Sequence, residues 1–236
     1  METKDLDVVY VLKQGVQGDE LRYSIRSLKN LPHRNVWVYG DCPEWLTGVF
    51  HVPTEQKGIK WENTSNMYLQ ICSNPNISDK FIIMNDDFYI LEPIEKLDYY
   101  YSKTLPERIE ETKIRAGSTL RLSRYGQQLQ MVEYYLTKNH YSNLNYELHI
   151  PMIFDKKLLK RAIKKLPNRG YAARRSLYAN VNELGGIDRP DCKIYDITTT
   201  PKKGEIFCST ADFSFRHGRI KKYLQEKFKE KSIHEH

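Results

Sequence analysis

Three short apolar runs constrain this chain more than any other feature: Asp7-Val8-Val9-Tyr10-Val11-Leu12, Asn35-Val36-Trp37-Val38-Tyr39-Gly40 and Phe81-Ile82-Ile83-Met84. Each is near-continuous rather than alternating and rich in β-branched or aromatic residues. That pattern predicts strands buried on both faces, as in a parallel sheet. Between them lie segments of helical period. Leu21, Ile25 and Leu28 recur at spacings of four and three behind Asp19, a predicted N-cap. Residues 64–72 form a second predicted helix, and Val49 to Pro53 a short extra strand. The first ninety residues thus read β-α-β-β-α-β, which predicts a doubly wound α/β sheet. In such sheets ligands bind beyond the carboxyl ends of the strands.

The remainder is less regular. Helices are expected over 106–113, 126–135, 156–166 (with Asp155 as its cap), 174–184 and 219–231. Residues 146–154 are expected to be extended, and 205–209 to form a late strand. The length of 236 residues suits one sizeable α/β domain, and no repeat or linker divides it.

Charge is uneven. The net charge is +7, yet the first hundred residues carry more acid than base, while 156–175 and 216–231 are strongly basic. That balance suits an anionic partner: a nucleotide, nucleic acid, a polyanionic polymer or a membrane surface. Cys42, Cys72, Cys192 and Cys208 lack zinc spacing and read as reduced structural thiols. The polar N-terminus is no signal peptide, and no apolar run approaches membrane-spanning length. A cytoplasmic protein is the expectation.

The run Phe81–Met84 ends in Asn85-Asp86-Asp87. Two adjacent carboxylates at the end of a buried strand either meet a hard divalent cation such as Mg2+ or Mn2+, held partly by substrate phosphates, or mark a surface turn. His149, inside an apolar stretch, is either a core histidine or a general base. Arg174 and Arg175 open a helix in a basic region, and Arg22 and Arg26 share a helix face. All four are either phosphate ligands or solvated surface. Asp212 follows the late strand and reads as a loop aspartate in isolation. GxGxxG, P-loop, GxSxG and HExxH signatures are all missing. Dehydrogenases, P-loop NTPases, common serine hydrolases and zincins therefore lose their best sign.

Four blocks occur together in one order: Asp7-Val8-Val9-Tyr10; then 20–28, 36–40 and 43–46 leading to Thr64-Ser65-Asn66 and Asn85-Asp86-Asp87; then His149-Ile150-Pro151 with Arg175; then 207–212. In these blocks the chain resembles the Stealth family of sugar-1-phosphate transferases. It departs from the family at Leu12-Lys13-Gln14-Gly15, where a Trp-Val-Asp/Asn-Gly type of sequence is usual, and at Ala211, where Asn is usual. The resemblance implies a GT-A-like single domain over 1–236, with a mostly parallel central sheet flanked by helices. Residues 1–91 would be the nucleotide- and metal-binding half, and 92–236 the acceptor-side half.

It also implies a nucleotide-sugar donor and a hydroxyl-bearing polysaccharide acceptor; the basic charge and the lack of a membrane-spanning run also permit a modified DNA base as acceptor. His149, Asp87, Arg175 and Asp212 would be catalytic. Asp86 and Asp87 would hold Mg2+ or Mn2+. Asp7 and Asn66 would bind the donor, and Arg22, Arg26 and Arg174, from their own chemistry, are assigned to its phosphates. A glycosyltransferase acting on DNA and a non-catalytic basic binding module are the alternatives.

Overall fold

The computed structural model describes residues 1–15, 18–117, 119–165 and 173–236. The first half follows the expected alternation. It runs β1 (Asp7–Leu12), α1 (Asp19–Ser27), β2 (Val36–Gly40), β3 (Phe50–Val52), α2 (Lys60–Ser73), β4 (Lys80–Met84) and β5 (Phe88–Ile90). Next come β6 (Tyr100–Tyr101), α3 (Leu105–Glu111), a hairpin of β7 (Lys113–Ala116) and β8 (Thr119–Leu122), and α4 (Arg124–Lys138). The chain then forms β9 (Met152–Asp155), α5 (Lys156–Lys164), α6 (Arg174–Val181), β10 (Ile187–Asp188) and β11 (Lys193–Ile194). It ends with β12 (Phe207–Thr210), α7 (Asp212–His217) and α8 (Arg219–Lys227).

The main sheet has the order β3-β2-β1-β4-β9. Its first four strands are parallel, and β9 is added antiparallel to β4, with Ile82 opposite Ile153. Successive residues of a strand point to opposite faces, and both faces are packed. Val9, Trp37, Tyr39, Phe81 and Ile83 face one core shared with α2, α4, α5 and α6. Val8, Tyr10, Leu12, Val36, Val38, Ile82 and Met84 face a second core under α1. That is why these runs are apolar throughout rather than alternating. A smaller sheet, β11-β12-β5, covers the site end, and its far face packs on α7 and α8 through Tyr89, Cys208, Phe215, Ile220 and Leu224.

Several boundaries differ from expectation. Asp19 is the first helical residue, and Gly18 stands at the N-cap without a side-chain cap. The second helix starts at Lys60 rather than Thr64, because Glu62 turns back onto the backbone N–H of Ile59. Residues 146–154 are extended only from Met152. Asn145 accepts the backbone N–H of Glu147, and Glu147 accepts that of Ser176 at the start of α6, so this stretch is tied to side chains and a helix end rather than to a neighbouring strand. Residues 113–122 form a hairpin where a helix end was expected, and β5 was not foreseen. Asp155 caps α5 as predicted, accepting from the N–H of Leu158. The last residue of that predicted helix, Leu166, lies outside the described residues.

Candidate functional site

The parallel strands β1, β2 and β4 all end at one edge of the sheet, and β9 runs the other way. Residues 149–151, which precede β9, therefore lie at the same edge as Asn85-Asp86-Asp87, which follow β4. Sheet topology thus brings together two motifs more than sixty positions apart. The turn at Asn85–Asp87 is held by Ser24, which lies 3.1 Å from the carbonyl of Asn85 and 2.7 Å from that of Phe88. The Tyr10 hydroxyl stands 2.9 Å from the Ser24 hydroxyl. This arrangement ties α1, β1 and the turn into one unit.

The segment that completes the site is Asp191-Cys192-Lys193, which lies against both motifs. Asp191 accepts from the backbone N–H of His149 at 2.9 Å, and its other oxygen lies 2.6 Å from Nδ1 of His149. An ionised carboxylate can only accept, so Nδ1 carries a proton, and in the neutral form of the ring Nε2 presents the lone pair. Burial alone would raise the Asp191 carboxyl. The hydrogen bond and charge of His149, with backbone N–H groups, outweigh it and hold the carboxyl below its ordinary value. The imidazole keeps a quarter of its side chain exposed and sits edge-on to Phe88, with ring centroids 6.2 Å apart. Phe88 follows Asp87 directly. Two residues beyond Asp191, Lys193 donates to Asp87 Oδ2 at 2.9 Å, and Ser209 lies 3.1 Å from the same oxygen.

Asp86 is differently placed. Burial, then the charge of Asp87, push its carboxyl above the ordinary carboxylate range. Opposing them are its own backbone N–H and the charges of Lys13 and Lys60. Glu20, at the start of α1, joins this acidic group. Its carboxyl accepts from Thr210 at 2.6 Å, yet burial and the charges of Asp86, Asp87 and Asp212 push it up to about 7. Negative charge is therefore in local excess at the carboxyl end of β4. Beside it, past the end of β1, an open cavity of about 430 Å³ is lined by Gln14, Pro53, Thr54, Glu55, Gln56 and Lys57. The Thr54 hydroxyl is buried there without a hydrogen-bond partner among the described residues.

The remaining expected residues are placed otherwise. Asp7 lies at the opposite, N-terminal end of β1. Its buried carboxylate is gripped by Arg34 at 2.8 and 2.5 Å and accepts from the N–H of Ser78, so it is a structural ion pair remote from the site. Arg22 and Arg26 both bind Glu235, whose side chain is fully buried; the phosphate role expected of them is replaced by a clasp on the C-terminal segment.

Arg175 is buried, donating to the carbonyls of Leu148 and Ile150 at 2.8 and 2.7 Å. It therefore braces the backbone on either side of His149 instead of facing a ligand. Arg174 donates to the Trp61 carbonyl and Ser65, and burial lowers its pKa. Asn66 is exposed on α2. Asp212 is exposed at the first turn of α7 and paired with Arg216 at 2.9 Å. Glu20, Asp191, Lys193, Lys13 and Lys60 went unnoticed because no local motif marks them; only the fold brings them near Asp86, Asp87 and His149.

The residues present fit a divalent ion in part. Among the described residues no group of three or more His, Cys, Asp or Glu side chains is disposed to hold a metal. A cation carried chiefly by substrate phosphates needs only one or two carboxylates, however. Asp86, whose carboxyl lacks a compensating side-chain bond, suits that requirement better than Asp87, which already holds Lys193 and Ser209.

No family model matches the sequence, and no curated protein matches it. Solved structures do match in shape. The galactosyltransferase LgtC, solved with donor and acceptor sugar analogs, superposes with a TM-score of 0.52 at 8% identity, covering 97% of each chain. The glycosyltransferase GlyE of Streptococcus pneumoniae TIGR4 gives 0.35 at 12% identity, covering 79% of this chain and 45% of its own length. The inositol-1-phosphate CTP transferase of T. maritima gives 0.46 at 13% identity, covering 98% of each. The chain therefore has a GT-A-like α/β fold, with a mostly parallel central sheet flanked by helices.

Proposed function

We propose that this chain is a transferase that uses a nucleotide-sugar donor and an acceptor hydroxyl. The observation that carries the reading is the Asp191–Lys193 segment. It aims the imidazole of His149 with one residue and balances Asp87 with another, at the edge of the sheet where GT-A-like folds meet their ligands. A partly exposed imidazole with Nδ1 fixed by a carboxylate is suited, through Nε2, to take a proton from an alcohol.

Beside it, Lys13 and Lys60 act on Asp86 from a distance and belong to no ion pair among the described residues. They are placed to offset a diphosphate, the role that Arg22 and Arg26 do not fill. The cavity at Gln14, Thr54 and Gln56 would receive the nucleoside. Asp86, with Asp87, would hold Mg2+ or Mn2+, which when bound supplies charge for the departing phosphate.

The donor has two electrophilic centres. Attack at the anomeric carbon transfers the sugar and releases a nucleoside diphosphate. Attack at the β-phosphorus transfers sugar-1-phosphate and releases the monophosphate. The second, Stealth-like outcome rests on the sequence resemblance alone. The GT-A-like fold accommodates the first equally well.

The test is a panel of nucleotide-sugars incubated with the protein and Mn2+, with the released nucleotide identified. Slow donor hydrolysis is expected, falling by about 10²-fold or more in His149→Ala if the base is correctly assigned. Asp86→Ala should abolish the response to Mn2+. Turnover untouched by both changes would refute the site. Tight donor binding without turnover on any acceptor would favour a binding module.

A further inference from the structure

The segment that completes the proposed site also walls a second cavity. This opening of about 230 Å³ lies between residues 189–194 and the chain from Thr199 to Cys208, and Asp191, Cys192 and Lys193 form part of its lining. Neither His149 nor Asp87 lines it, and it is distinct from the cavity at Gln14, Thr54 and Gln56. At about 30 Å³ for each water molecule it has room for roughly eight. That is the bulk of one sugar ring or a small acid, and too little for a nucleotide.

The polar groups of this cavity are unevenly committed. Both oxygens of Asp191 are held by His149, and Lys193 is paired with Asp87. The Cys192 thiol donates to the His149 carbonyl at 3.2 Å. Arg189 is the exception. Its guanidinium carbon lies 5.2 Å from the ring centres of both Tyr100 and Phe207. Those rings fix its place but offer no hydrogen-bond acceptor. Its Nε is buried without a partner, and its ion pair with Glu205 is stretched to 3.7 Å. The guanidinium therefore makes no hydrogen bond among the described residues. The Lys202 ammonium and the Thr200 hydroxyl, also in the lining, are equally uncommitted there. What this cavity has to spare is hydrogen-bond donors, and two of the three are cationic. A mostly buried arginine without an acceptor is costly, and a charged acceptor relieves it best.

We infer that this cavity is a ligand site for a compact oxyanion: a carboxylate or phosphate on a molecule no larger than a single sugar ring. The planar Arg189 fork matches either group, and exposed Lys202 adds charge. Glu205 is the competitor, since its carboxylate stands where an anion is wanted, at a distance too long for a hydrogen bond. A ligand here meets the same Asp191–Lys193 segment that aims His149 and balances Asp87. The binding itself does not depend on the reaction proposed above.

Isothermal titration of the whole protein, without nucleotide or metal, tests the inference with glucuronate, glucose 6-phosphate and glucose. Binding is expected with at least one of the two charged sugars, and which one binds identifies the anion. Glucose should bind at least about tenfold more weakly. Lys202→Gln should weaken binding of the charged sugar by about two- to fivefold, and Glu205→Gln should tighten it by a similar factor. Lys202 is exposed and the Glu205 side chain is 43% exposed, so circular dichroism should be unchanged in both. Lys13→Gln, beside the other cavity, should leave the affinity as it is. Three results would overturn the inference: no binding of either charged sugar, glucose binding as tightly as they do, or an affinity that Lys202→Gln and Glu205→Gln both leave unchanged.

Discussion

Residue by residue, the site depends on side chains that never touch the reacting atoms. Asp191 fixes the tautomer of His149, and Arg175 fixes the two carbonyls around it. Losing a carboxylate that orients a general-base imidazole leaves the wrong tautomer and costs up to about 10⁴-fold in turnover. Asp191→Asn should therefore reduce kcat by that order while leaving the KM for the donor nearly unchanged, because the volume is kept and only the acceptor at Nδ1 is lost. Steady-state kinetics on the donor identified above would check this, and a change confined to KM would contradict it. Arg175→Lys is expected to be no substitute, since one ammonium lacks the fork that reaches both carbonyls.

Among the elements, α1 is the most heavily constrained. Its first turn supplies Glu20 to the acidic group, Ser24 braces the Asn85–Asp87 turn, and Arg22 and Arg26 grip Glu235. Burial raises the Glu235 carboxyl. The bond from Arg26, the N–H of Ser232 and the bond from Arg22 outweigh that and lower it to about 2 from an ordinary 4.5. A carboxyl depressed by folding contributes stability above its unfolded value and loses it as pH falls toward the folded one. The Glu235 contribution should thus be complete above pH 4.5 and vanish toward pH 2. Glu235→Gln should lower stability at neutral pH by about 3 kcal/mol, since it leaves two arginines uncompensated. Urea unfolding at pH 7 and pH 3 would show the difference between variant and parent shrinking at the lower value.

Strand β2 has its own constraint. Gly40, at φ +108°, ends the strand against β1, and a Cβ there would stand 2.0 Å from the Leu12 carbonyl oxygen. Gly40→Ala should cost more than about 1 kcal/mol and disturb the neighbouring cavity at Gln56, whose side chain donates to that same carbonyl. A thermal melt equal to that of the parent would refute this.

For the molecule as a whole, the excess of negative charge at Glu20, Asp86 and Asp87 sits within a chain of net charge +7. Local repulsion of this kind is relieved by a cation, and a ligand that binds only the folded state raises its melting temperature. Mn2+ should therefore raise the melting temperature relative to chelator, and Asp86→Asn should remove that response while itself melting no lower than the parent. An identical Mn2+ shift in Asp86→Asn would show that the ion binds elsewhere. Because the two main cores share one sheet, unfolding should proceed in a single transition, as read by calorimetry.

The order β-α-β-β-α-β was legible in the sequence because strands buried on both faces are apolar along their length, as β1 is from Val8, β2 from Val36 and β4 from Phe81. The carboxyl pair at Asp86 and Asp87 was legible for the same reason, since charge next to such a strand is conspicuous. Asp7 was expected to bind the donor, and strand direction together with its Arg34 partner places it at the other end of the sheet. Arg22, Arg26 and Arg175 looked like phosphate ligands because a sequence carries charge but not its partner. Their partners, Glu235 and the carbonyls of Leu148 and Ile150, lie far along the chain or in the backbone itself. The linear order of residues thus determined β1, α1, β2, β3, α2 and β4 through local pattern, while β5 and the β7–β8 hairpin carried no such mark. Long-range pairing alone decided that Asp191 and Lys193 stand between His149 and Asp87, because contacts across more than forty or a hundred positions leave no periodic trace in the chain.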